Sequence, residues 1–92
     1  MHAVVVKVAV HDDEETGLQY LRENIVPAVS QAPGFVAGYR VRLEGGDEGN
    51  SVIVFESEDA ARGASERIRE GVGSNPGVTL KDVSVGEVVA NA

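Results

Sequence analysis

The sequence predicts an α+β domain with the element order β-α-β-β-α-β, a four-stranded antiparallel sheet with two helices on one face. Three observations lead there. Valine carries most of the apolar mass, and β-branched side chains suit a pleated surface. Four segments alternate with a period of two, and two others carry apolar residues at spacings of three and four. The length, 92 residues, fits one domain, 1–92.

Strand one is Ala3 to Val10. Val4, Val6, Val8 and Val10 share one face and Ala3, Val5, Lys7 and Ala9 the other, so both faces are largely apolar and the strand is predicted to be central. The acidic run Asp12 to Glu15 then starts helix one, because carboxylates are favourable beside the free N–H groups of a helix N-terminus. Leu18, Leu21, Ile25 and Val29 form its apolar stripe, and Pro27 predicts a kink or break before a last turn to about Gln31. Pro33-Gly34 stops the helix, since proline cannot continue it and glycine can take the positive φ that reverses the chain.

Phe35 opens strand two, with Ala37, Tyr39, Val41 and Leu43 expected on its face. "EGGDEGN", Glu44 to Asn50, is a turn, and "SVIVFES" is strand three, again apolar on both faces. Ser57 caps helix two, with Glu58 and Asp59 in its first turn. Ala60, Ala61, Ala64 and Ile68 face the sheet, and so many alanines let this helix, Glu58 to Glu70, approach closely. Gly71 to Gly77 is a loop, and Val78 to Ala90 is the last strand, with Val83, Val85 and Val89 in alternation. This is the split βαβ, ferredoxin-like order.

A chain this short, without cysteine, is marginal as a monomer, and strands one and three leave the helix-free face apolar. Such a face predicts a homodimer, sheet against sheet. The formal net charge of −7 and the lack of a basic block argue against a nucleic-acid partner. No apolar run approaches the ~20 residues of a membrane span, and "MHAVVVKVAV" lacks a leader pattern, so a cytoplasmic protein without a membrane partner is expected.

"VPAVSQAPGFVAGYRV", the hairpin, and "SVIVFESEDAARGASERI" resemble the antibiotic biosynthesis monooxygenase-like (ABM) group of dimeric α+β barrels, in particular its small bacterial members. The resemblance covers nearly the whole chain, and Pro33 to Phe35 and "FESEDAA" carry it most clearly. It implies a homodimer whose two sheets build one barrel, each protomer keeping a pocket between helices and sheet for a small hydrophobic or aromatic molecule. It also implies that any enzyme here is a cofactor-independent monooxygenase, so no cofactor is expected; a non-catalytic dimeric module is the alternative. The polyketide-oxidising type carries a pocket of Asn, Trp, Tyr and Arg, and the haem-degrading type a His on the second helix and a Trp. This chain has no Trp, and Glu58 to Glu70 contains no His, so neither set transfers and haem degradation is not expected.

Four residues are candidate ligand contacts. His11 ends strand one beside Asp12 and Asp13, which are near enough in sequence to orient a general base; a solvated strand end is the alternative. Tyr20 and Asn24, four apart on helix one, suit a pocket mouth or else a boundary and a surface position. Tyr39 is expected against helix one, opposite Leu21 and Ile25, with its hydroxyl offered to a ligand or its ring simply packed. Arg40 and Arg42 would take the other face, on the side of Lys7, as an anion contact within the barrel or in ion pairs with Glu44, Glu56 or Glu87, inside one protomer or across the dimer. No metal cluster is predicted, and "GVGSNPG" precedes a strand, so it is not a phosphate loop.

Overall fold

The computed structural model describes residues 1–11, 19, 22–23, 26–73 and 77–90. Along them run β1 (His2–Val10), α1 (Val26–Ser30), β2 (Phe35–Arg42), β3 (Glu48–Phe55), α2 (Glu58–Gly73) and β4 (Val78–Glu87). The sheet order is β2-β3-β1-β4, antiparallel throughout. β1 is thus central, as its two apolar faces require.

The register sorts side chains into rows. Gly38, Ile53, Val4 and Val85 form one row on the helix side, and Arg40, Ser51, Val6 and Val83 the next. Tyr39, Val52, Val5 and Ser84 form a row on the open side, and Val41, Asn50, Lys7 and Asp82 its neighbour. The core lies on the helix side: Val4, Val6, Ile53, Phe55 and Val83 are buried with Ala61 and Ala64 of α2. Phe35 meets Phe55 edge-on, ring centroids 6.2 Å apart.

Ser57 caps α2 as predicted: its Oγ accepts a hydrogen bond from the Ala60 amide at 3.2 Å. The alanine face sits tight on the chain. Gly34 has φ +77°, and a Cβ there would stand 2.9 Å from the Ala60 Cβ, so both backbone and space demand glycine. Pro27 lies in the described stretch Val26–Ser30 of α1, and residues 24 and 25 just before it lie outside the described residues. Val29 packs against the core. Leu18, Leu21 and Ile25, the rest of the predicted stripe, lie outside the described residues.

Four expectations need correction, the first being the end of helix two: α2 runs on to Gly73, into the predicted loop Gly71 to Gly77. The β2–β3 register shifts between Phe35 and Ala37, and this bulge moves every later β2 residue to the opposite face. Tyr39 therefore does not share a face with Phe35 and does not face helix one; it lies on the open side, 71% exposed. β3 starts at Glu48, inside the predicted turn, because the Leu43 amide already bonds the Glu48 carbonyl at 2.9 Å and Gly45 and Gly46 take the positive φ angles of the reversal. β4 ends at Glu87, short of the predicted Ala90; the Val88 amide still donates to the Met1 carbonyl at 2.9 Å, and Val89 is 87% exposed.

Candidate functional site

The helix-side face is unevenly covered. α2 packs on β4 and β1 and only touches β3, while α1 touches β2. Val4, Val6, Ile53, Phe55 and Val83 are sealed beneath this cover. Toward the Arg42 end of β2 the same face stays half-buried: Gly38, Arg40, Arg42, Gly49, Ser51, Val8 and Leu80 each keep part of their surface open. Glycine and serine at three of these positions keep the floor low. At Gly49 a Cβ would come within 3.3 Å of a Val8 methyl, so a larger residue there would press on Val8.

The two arginines are the polar groups of this region. Arg42 Nη1 donates to the Gly46 carbonyl at 3.1 Å, which fastens it to the turn. Arg40 lies back over Gly38, where a Cβ would stand 3.1 Å from its Nη1. Its Nη2 is buried and without a hydrogen-bond partner among the described residues. Burial lowers the pKa of this guanidinium from its ordinary value, through desolvation. Neither arginine forms an ion pair among the described residues, so within one protomer the expected pairs with Glu44, Glu56 or Glu87 are not made there. Lys7, expected beside the arginines, is on the opposite face, paired with Asn50 and Asp82.

Of the four sequence candidates, His11 and Tyr39 lie among the described residues, and they sit apart, on β4's side and on β2 of the sheet. Tyr20 and Asn24 lie outside the described residues. Tyr39 is on the open face. The His11 Nε2 is 2.7 Å from the Thr79 Oγ1, and Thr79 is the strand partner of Ala9, so the ring reaches away from the half-open region. The sequence contains one other histidine, His2, whose Nε2 is 3.5 Å from a Glu58 carboxylate oxygen. Sequence reading missed the placement of Arg40 because alternation counted from Phe35 is out by one. Alternation counted back from the glycine turn would have carried no such error.

The open face presents a different surface. Tyr39, Val41 and Val52 are 71%, 53% and 41% exposed, with Leu43 at 37% just beyond the strand. The Asn50 Oδ1 among them is buried without a partner among the described residues. No described helix is long and apolar enough to cross a membrane.

No protein-family model matches the sequence, and a search of curated proteins finds no match. Solved structures do match. HapK from Hahella chejuensis aligns with a TM-score of 0.73 over 100% of this chain and 96% of its own, at 12% identity. SnoaB from Streptomyces nogalater, a cofactor-independent oxygenase, aligns at 0.71 over 98% and 95%, at 13% identity. The chain has the ABM-like fold. MhuD from Mycobacterium tuberculosis, a heme-degrader with two hemes bound in its active site, aligns at 0.57 over 97% and 98%, at 25% identity. The ABM-like likeness thus runs the length of the chain, as the resemblance of its hairpin and second helix implies. A His-ligated haem does not fit the residues present: α2 contains no histidine, and His2 and His11 are turned to Glu58 and Thr79.

Proposed function

We propose that this protein is a homodimeric small-molecule binder of the ABM-like type, holding a planar, largely apolar ligand above the half-open part of the helix-side face. One observation carries the reading. Beside a sealed core, the same face keeps a continuous half-buried region floored by Gly38, Gly49 and Ser51 and edged by Val8 and Leu80. Concave, mostly apolar surface with a few polar groups is the usual make-up of a ligand site. The SnoaB likeness supports oxidation of such a ligand by dioxygen without a cofactor, as a finer reading of the same site.

The second copy belongs on the open face. Tyr39, Val41, Leu43 and Val52 make an apolar patch that a small acidic protein would not leave to water. An obligate interface of this kind buries about 2,000 Å² or more in total.

The test is a fluorescence titration with 1-hydroxyanthracene, wild type beside Gly49→Leu. The wild type should bind, and the leucine, which fills the floor, should weaken binding by about tenfold or more, equivalent to ~1.4 kcal/mol. Equal binding by both proteins, or none by the wild type, would contradict the proposed site. Aerobic formation of the quinone from the bound phenol, above the protein-free rate, would support the oxygenase reading.

A further inference from the structure

We propose that Arg40 is the specificity-determining contact of this ligand site, and that the site selects planar apolar molecules carrying a carboxylate. The inference rests on the binding reading above and adds the chemical class of the ligand.

The first ground is an orphaned donor. A guanidinium carries five N–H groups, and buried donors are nearly always paired because leaving one unmade costs its full desolvation. Arg62 Nε donates to Glu58 at 2.9 Å, Arg69 Nη2 to the Val83 carbonyl at 2.9 Å and Arg42 to Gly46. Arg40 alone among the described arginines holds a buried nitrogen without a partner. Acid is not scarce, with 15 Asp and Glu against 8 Lys and Arg, yet the register gives Arg40 the neighbours Ser51, Val6 and Val83 and no carboxylate.

The second ground is built space. Gly38 leaves room for the guanidinium to lie along the strand: any side chain there would start 3.1 Å from Nη1. The cation is thereby held at the floor of the half-buried region instead of extending into water. The third ground is shape and charge. The planar fork of an arginine matches a carboxylate in two parallel hydrogen bonds. Arg42 donates to the Gly46 carbonyl at the turn, so Arg40 is the arginine of the region with a buried donor left over for a ligand.

The experiment titrates anthracene-9-carboxylate and the neutral anthracene-9-carboxamide against wild type and Arg40→Gln. The wild type should prefer the carboxylate by about tenfold or more, and Arg40→Gln should bring the two probes to equal affinity. Equal binding of the two probes by the wild type overturns the role of Arg40 and leaves the ligand site standing. Failure of both probes to bind the wild type overturns the site and this inference together. A preference that survives in Arg40→Gln also overturns it. Should that variant not fold, ¹⁵N spectra of the wild-type guanidinium decide: the Arg40 signals should shift with the carboxylate and hold still with the amide, and no shift with the carboxylate overturns the proposal.

Discussion

The two faces of one sheet differ in what completes them. On the helix side the chain supplies its own cover over Val4, Ile53 and Phe55 and then leaves Gly38, Arg40 and Gly49 half-open. On the open side no described helix covers the sheet, and Tyr39, Val41 and Val52 remain exposed. Each face also holds one buried polar atom without a partner among the described residues, Arg40 Nη2 on one and Asn50 Oδ1 on the other. The contrast teaches that apolar surface alone does not say where a ligand goes. The exposed apolar patch suits a flat, self-complementary partner, while the glycine-floored region with its orphaned Arg40 donor suits a molecule.

Substitutions that separate the faces test this contrast. Phe55→Ala should cost the most, about 3–5 kcal/mol, because Phe55 is fully buried and its ring supports Phe35; chemical denaturation should show it, and a loss under 1 kcal/mol would mean the helix side is not the core. Gly34→Ala should cost about 3 kcal/mol in the same assay, combining ~1–2 kcal/mol for a left-handed backbone with ~1–3 kcal/mol for crowding Ala60. Val52→Lys, on the open side, should leave a concentration-independent melt of the monomer near its starting value but weaken self-association about 100-fold, ~2.8 kcal/mol, by sedimentation. An unchanged dimer in that variant would place the second copy elsewhere. Tyr39→Phe should have the smallest effect, about 1 kcal/mol or less in stability, since the ring is largely exposed and only a hydroxyl is lost; a tenfold loss of ligand binding instead would return Tyr39 to the ligand site.

Much of the fold was legible because its signals are local. Ser57 announces the start of α2, Gly34 the chain reversal before β2, and the alanines of α2 its close approach. The two-sided apolar pattern of β1 announces a central strand. What escaped was set by pairing. The bulge after Phe35 depends on how β2 meets β3, and one inserted residue exchanges the faces of Tyr39 and Arg40. The alternation through Val89 continues past Glu87, but the ladder with β1 runs only to the pair His2 and Glu87, and Val89 is left exposed. The candidate site suffered most, because nominating Tyr39 and discounting Arg40 both rested on that one register. His11 was legible as a strand end, and its bond to Thr79 keeps it there.

The division of labour between the faces can be read in one set of ¹³C methyl spectra, recorded on dilution and again with anthracene-9-carboxylate. Dilution should move the methyls of Val5, Val41 and Val52 and leave Val8 and Leu80 in place; the ligand should move Val8 and Leu80 and leave the first set. Ligand-induced shifts concentrated on Val41 and Val52, or dilution shifts concentrated on Val8 and Leu80, would contradict the assignment of ligand and second copy to opposite faces.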